Sequence, residues 1–141
     1  NNIPEDLRDY DFNWSVCAFE HLGSIAQGLQ FVENTMATVR PGGLSIHTTE
    51  FNFLDNENTI DNWPTVLFQR KHFEQLGARL RAAGHHIDTM DFDVGTDPLD
   101  QFIDLPPYTD SWPGMPGNEH IKLSVDGFAC TCYGVIARKG G

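Results

Sequence analysis

The feature that most constrains the fold of this chain is a β-type segment, a helical segment and a second β-type segment that follow one another closely. Residues 10–19 (YDFNWSVCAF) are aromatic and nearly uncharged, a composition typical of a strand. In residues 25–39 the apolar side chains recur at spacings of three and four, which predicts a helix behind an N-cap at Ser24. Residues 40–43 (RPGG) end that helix, and residues 44–51 (LSIHTTEF) predict the next strand. This order predicts parallel strands joined by a right-handed crossover.

The rest of the sequence predicts a second helix, a third strand, a long loop and a closing hairpin. Residues 71–83 have one apolar face and predict a helix, and residues 86–94 predict a third main strand. Residues 95–119 contain five Pro and predict a lid-like loop. An Asp-Gly pair between residues 120–125 and 128–138 predicts an antiparallel hairpin. The whole chain, residues 1–141, is therefore expected to form one α/β domain.

The charge of the chain argues against two classes of partner. Its formal net charge is −11 at pH 7, and no cluster of Lys and Arg interrupts the acidic character. Such a surface repels phosphate backbones and anionic lipids, so neither nucleic acid nor a membrane is expected as a partner. The polar, acidic start lacks the basic region of a secretory signal, and no apolar run is long enough to span a bilayer. We therefore expect a cytoplasmic protein with reduced cysteines.

Two motifs resemble a known family. The run from Tyr10 to Gly23 (YDFNWSVCAFEHLG), followed by a helix and Arg40-Pro41-Gly42-Gly43-Leu44, resembles the second half of class I S-adenosylmethionine-dependent methyltransferases. In that family the fourth strand carries a D-x-x-x-S…E-H-L pattern, and the fifth strand follows a (L/V)-(K/R)-P-G-G turn. The resemblance implies a partial Rossmann-like methyltransferase fold with parallel strands, crossover helices and a C-terminal antiparallel hairpin. It also implies S-adenosylmethionine as the cofactor and methyl transfer to a small molecule, such as a sugar hydroxyl.

The family's Gly-rich turn after the first strand and the acidic residue after the second strand are absent from this sequence. The resemblance therefore implies a C-terminal portion of a methyltransferase domain that carries only part of the cofactor site. Such a fragment is expected to be inactive alone and to bind the cofactor poorly. The alternative is a non-catalytic binding or assembly module derived from a methyltransferase, so whether the chain is an enzyme stays open.

The candidate site lies at the carboxyl ends of the first two predicted strands, where open α/β sheets bind their ligands. Glu20, His21, Thr49 and Glu50 are expected to rim one cleft there. A neutral imidazole suits a general base near pH 7, so His21 is the candidate base, with Glu20 or Glu50 as the carboxylate that orients it. The alternative is that Glu20 and His21 only begin the helix and pack beneath the cofactor.

Further contacts are expected for the cofactor and the substrate. By resemblance, Ala18, Glu20 and Leu22 contact the methionine part of the cofactor. The candidate substrate-binding residues are Thr49, Asn52, Tyr108 and Trp112. The two aromatic residues suit stacking on a sugar or a ring, and they suit anchoring of the loop equally well.

Three expectations concern the rest of the molecule. His47, in the middle of a strand, is expected to be a core histidine. No metal site is predicted, because His21, His47, Glu50 and His86 come from separate strands without the spacing of ligands. Residues 10–19 are expected to form an exposed apolar edge strand, which predicts a homo-oligomer that assembles through this edge.

Overall fold

The computed structural model describes residues 3–62, 64–108 and 121–141. Its architecture is mixed α/β, with two helices packed on one face of a five-stranded sheet. The elements in chain order are β1 (Tyr10–Val16), a 3-10 helix (Phe19–His21), α1 (Ile25–Thr35), β2 (Val39–Asn52), β3 (Asp61–Asn62), β4 (Thr65–Val66), α2 (Arg70–Ala82), β5 (His86–Ile87), β6 (Lys122–Val125) and β7 (Phe128–Arg138).

The predicted strand–helix–strand unit is present, with shifted boundaries. Ser24 caps α1 by accepting a hydrogen bond from the Gln27 backbone N–H at 3.2 Å. The helix ends at Thr35 and not at Val39, because residues 36–38 tighten into i to i+3 turns. β1 and β2 pair in parallel, as predicted, and β2 already starts at Val39. The Pro-Gly-Gly turn is therefore an irregularity inside the strand and does not precede it.

The strand predicted over residues 86–94 is wrong beyond Ile87. β7 lies between β2 and β5 and runs antiparallel to both, so β5 is a two-residue edge strand. After β5, the Asp91 and Asp93 side chains accept hydrogen bonds from the backbone two residues on, each at 2.9 Å. Such local bonds compete with a sheet ladder. The apolar residues of this segment, Met90, Phe92 and Val94, still pack against the core.

The hydrophobic core lies between the two helices and one face of the sheet. Phe19, Phe51, Phe68 and Phe73 form its centre, with neighbouring rings between 4.8 and 5.8 Å apart. Gly28 of α1 lets the helix approach closely, because a Cβ there would lie 2.6 Å from the Phe68 ring. The core therefore fixes the 3-10 helix, which carries Glu20 and His21, against both α1 and the sheet.

The closing hairpin is confirmed for residues 122–138. Asp126 and Gly127 join β6 to β7 with positive φ angles of 48° and 87°, the geometry that two-residue hairpin loops require. Residues 95–108 lie against this hairpin. The buried Lys122 ammonium donates to the carbonyl oxygen of Val94 at 2.7 Å and also to that of Asp100. Across the described parts of the chain, neither helix has the length and apolar character needed to cross a membrane.

Candidate functional site

The parallel pairing of β1 and β2 brings their carboxyl ends side by side, with Val16 opposite Thr48. Cys17 then turns the chain with a φ of +43°, and its N–H donates to the Thr48 carbonyl oxygen at 3.0 Å. The turn leads into the 3-10 helix and directs the Glu20 side chain back toward β2. There Thr49 Oγ1 donates a hydrogen bond to Glu20 Oε2 at 2.9 Å.

Glu20 is a buried carboxyl group, with 1% of its surface exposed. Burial raises the pKa of Glu20, and the nearby negative charge of Glu50 raises it further. The hydrogen bonds from its own backbone and from Thr49 oppose that rise without cancelling it. Glu20 can therefore serve either as a proton donor or as a ligand for a cation that neutralises it.

His21 lies at the rim, with its side chain half exposed. Its Nδ1 is 2.9 Å from the carbonyl oxygen of Pro64. A carbonyl only accepts, so Nδ1 carries the hydrogen and Nε2 has a lone pair in the neutral ring. Nε2 lies 3.9 Å from Glu20 Oε1. The ring is therefore held in the tautomer that can take up a proton at Nε2.

Glu50 faces a group of cysteines. It lies opposite Cys132 in the antiparallel pairing of β2 with β7, and Cys130 lies two residues before Cys132 on the same strand. Burial, together with the charge of Glu50, raises the pKa of Cys130 to about 12. A sulfur of Cys17 and one carboxylate oxygen each from Glu20 and Glu50 all lie within 4.8 Å of one another.

No sequence pattern pointed to the cysteines at this site. Cys130 and Cys132 alternate along a strand, which is also what a buried strand of any α/β protein shows. Their place beside Glu50 depends on the pairing of β7 with β2, and the local sequence of neither strand encodes that pairing. Cys17 lies at the site in the turn after β1, where its φ angle is positive.

Other predicted site residues have different surroundings. Ala18 is exposed in the turn, as a contact for a ligand requires, whereas Leu22 packs against the hydrophobic core. The Asn52 amide donates to the carbonyl oxygen of Asn58 and accepts from the Asp55 N–H, so it holds the loop after β2. The Tyr108 hydroxyl donates to the Ser124 carbonyl oxygen at 2.8 Å, against the hairpin. Trp112 lies outside the described residues.

His47 is a core residue, as predicted. Its Nδ1 lies 2.7 Å from Ser15 Oγ, and its Nε2 lies 2.7 Å from Ser45 Oγ and 3.1 Å from Thr35 Oγ1. Ser45 Oγ donates to Asn13 Oδ1, so it accepts from His47 Nε2–H, which leaves Nδ1 to accept from Ser15. Burial lowers the pKa of His47 to about 4, and the imidazole is neutral at pH 7. This network joins β1, β2 and α1 beneath the site.

Comparison with known proteins assigns no family to the chain. No protein-family model matches it, and no curated protein matches it. Among solved structures it is similar to the [4+2]-cyclase SpnF, with 16% sequence identity and a TM-score of 0.44. That match covers 60% of this chain and 28% of the SpnF chain, so this chain spans much less than two thirds of SpnF. The fold that the structure establishes is a mixed α/β sheet with two helices on one face.

Proposed function

We propose that this chain forms the C-terminal part of the active site of an S-adenosylmethionine-dependent methyltransferase that acts on a small-molecule hydroxyl group. The observation that carries the proposal is the contact between Glu20 and Thr49 at the adjoining ends of two parallel strands. These strands bear the two motifs that resemble the family, and open α/β sheets bind their ligands at this edge.

The residues present fit part of a cofactor site. Ala18 is accessible in the turn after β1, and Glu20 and Glu50 supply negative charge close to it, which suits a ligand with a positively charged sulfonium. The Gly-rich turn that would hold the rest of the cofactor is absent from the sequence. S-adenosylmethionine supplies the methyl group when it is bound, and this chain would contribute contacts to its methionine end.

The main chemical role of this chain would be to receive the proton of the acceptor. S-adenosylmethionine would supply the methyl group that replaces the hydroxyl proton of the acceptor, and that proton would pass to His21 Nε2. The Pro64 carbonyl holds the His21 ring in the tautomer that can accept this proton. Glu20, 3.9 Å from Nε2, stabilises the imidazolium that results.

The test is a methyl-transfer assay on the protein of the gene that encodes this segment, with labelled S-adenosylmethionine and a panel of small-molecule alcohols and sugars. We expect transfer, and we expect His21→Gln to lower its rate by ~10²- to 10⁴-fold, the usual contribution of a general base. His86→Gln changes an exposed histidine of β5 and serves as the control. Unchanged transfer in His21→Gln would rule out the base.

Calorimetric titration of this chain alone with S-adenosylmethionine tests the fragment hypothesis separately. Weak or absent binding is expected, because the Gly-rich turn is missing from the sequence. Tight binding by these 141 residues would show that the cofactor site is complete without it.

A second candidate function, an assembly module, is favoured by the open face of the sheet. The side chains of β1 on this face are apolar and exposed: Tyr10 (48%), Phe12 (59%), Trp14 (67%) and Val16 (59%). Among the described residues, β1 pairs with β2 alone, so its outer edge presents free backbone groups. We propose that a second copy of the chain covers this face and edge. Sedimentation velocity at increasing concentration should then show a dimer or larger species.

A further inference from the structure

The groups at the ends of β1 and β2 include a cluster suited to a cation. The thiol–carboxylate cluster consists of Cys17, Glu20 and Glu50, which come from the turn after β1, the 3-10 helix and β2. One ligand atom from each lies within 4.8 Å of the other two. Three segments that are distant in sequence thus direct one sulfur and two carboxylate oxygens at a common point.

The burial of Glu20 makes this different from an acidic patch on the surface. Its carboxyl group is 1% exposed and close to a second carboxylate, and no Lys or Arg forms an ion pair with either group among the described residues. Two neighbouring carboxylates, one of them buried, are costly to ionise together unless a cation lies between them. Cys17 and Glu50 are partly exposed, and they leave an entry path from solvent.

The donor set also restricts the type of cation. Ca²⁺ and Mg²⁺ take oxygen ligands and do not use thiolates, whereas Zn²⁺ binds thiolate sulfur and carboxylate oxygen in the same site. In a tetrahedral Zn²⁺ site, with Zn–S near ~2.3 Å and Zn–O near ~2.0 Å, ligand atoms lie about 3.5 Å apart. Side-chain rotations that bring the three groups about 1 Å closer would meet this geometry.

We propose that Cys17, Glu20 and Glu50 bind a thiophilic divalent cation such as Zn²⁺, with the fourth position open to solvent. The thiol of Cys17 loses its proton to solvent when the sulfur coordinates the metal, and Glu20 loses any proton that it carries, so binding releases at least one proton per cation. Three protein ligands and one open position are typical of catalytic zinc sites and not of structural ones. The sequence predicted no metal site, because the candidate ligands His21, His47, Glu50 and His86 lacked the spacing of ligands and Cys17 was not among them.

This inference goes beyond methyl transfer and does not require it. A metal cation and a sulfonium would compete for the same two carboxylates, Glu20 and Glu50, so binding is measured with the metal alone. Absence of metal binding by the unmodified chain would therefore not count against methyl transfer, and absence of methyl transfer would not count against the metal site.

The test uses the purified chain and Co²⁺, which replaces Zn²⁺ and produces a near-ultraviolet charge-transfer band when a thiolate coordinates it. We expect one equivalent of Co²⁺ to give this band and an excess of Zn²⁺ to remove it. Cys17→Ser should abolish the band. Glu50→Gln should weaken Zn²⁺ affinity by more than ~100-fold, since losing even an outer-shell partner costs 10- to 100-fold.

Cys132→Ser is the matched control, because Cys132 is an exposed thiol opposite Glu50 that lies outside the proposed ligand set. It should keep the charge-transfer band at full intensity. Far-ultraviolet circular dichroism of each variant verifies that the fold is intact. Absence of the band in the unmodified chain, its survival in Cys17→Ser, or its loss in Cys132→Ser would each overturn the proposal.

Discussion

The two faces of the sheet differ in how their side chains are covered. On the covered face, Ser45, His47, Thr49 and Phe51 of β2 are buried beneath the helices and the 3-10 helix. On the open face, the alternate residues of β1 point to solvent, although three of the four are aromatic. Strands with apolar residues on both faces belong to sheets that are buried on both sides. The composition of β1 therefore suits a sheet with a second covering layer.

The faces also differ in polarity. Beneath the helices, polar groups are tied into a continuous network around His47, in which every hydroxyl and ring nitrogen has a partner. The open face carries apolar side chains without such partners, together with the cysteines and Glu50 at its carboxyl end. The covered face therefore stabilises the fold, and the open face is available for binding.

The largest effect on stability is expected from Phe73 on the covered side. Its ring is fully buried and lies 4.4 Å from that of Tyr133 and 5.6 Å from that of Phe51. Phe73→Ala should lower the free energy of unfolding by about 3–5 kcal/mol. Phe12→Ala on the open face is the matched control and should change it by less than about 0.5 kcal/mol. Similar losses in urea denaturation of the two variants would contradict the difference between the faces.

Acid is expected to destabilise the covered face through His47. Burial lowers its pKa from 6.5 to about 4, so between these values the unfolded chain binds a proton that the folded chain excludes. Stability due to this group is complete above pH 6.5, falls as the pH falls, and levels off below pH 4. Between pH 6.5 and pH 4 the free energy of unfolding is expected to fall by about 3 kcal/mol through this group.

The contribution of His47 is separated from that of the other histidines by measuring the free energy of unfolding of wild type and of His47→Gln across this pH range. Burial also lowers the pKa values of His72 and His85, so wild type alone does not separate the three groups. The difference between the two stability curves should be constant above pH 7 and shrink towards pH 4. Parallel curves over the whole range would show that His47 takes up its proton in the folded state.

A substitution of Trp14 tests whether the open face mediates self-association. Its side chain is the most exposed of the large apolar residues of β1, and aromatic residues of this kind dominate interfaces. Trp14→Lys should weaken self-association by about 30-fold, or ~2 kcal/mol, with little effect on monomer stability. Sedimentation equilibrium measures the change. An unmodified chain that stays monomeric at the highest concentration tested would refute assembly through this face.

The local sequence was sufficient to predict those elements that are determined by residues close together in the chain. The spacing of apolar residues indicated both helices, Ser24 indicated the start of α1, and Asp126-Gly127 indicated the hairpin. Glu20 and Thr49 could be expected near each other once β1 and β2 were taken as parallel neighbours. Each of these inferences used residues close in sequence or a general rule for crossovers.

The position of β7 could not be inferred in this way. The paired residues of β2 and β7 are 78 to 94 positions apart in the sequence. Which strands pair over such a separation depends on which strand edges are free, and the side-chain pattern of a strand does not identify its partner. Because β7 pairs with β2, Cys130 and Cys132 come to lie beside Glu50, and β5 is left at the edge of the sheet. The non-local pairing accounts for the missed cysteines, whereas the wrong strand is explained by the local side-chain bonds of Asp91 and Asp93.

Asn13 provides the finest test of the difference between the faces, because it lies between Phe12 and Trp14 on the same strand. Its amide donates to Thr38 Oγ1 at 2.8 Å and to the Thr35 carbonyl oxygen at 2.9 Å, and it accepts from Ser45. Asn13→Ala leaves these partners without their bonds, yet the site is only half-buried, so water can replace some of them. We expect a loss of about 1 kcal/mol in the free energy of unfolding, against no measurable loss for either neighbour. If the small amide matters more to stability than the two large aromatic rings beside it, the orientation of each side chain, and not its hydrophobicity, decides its contribution in β1.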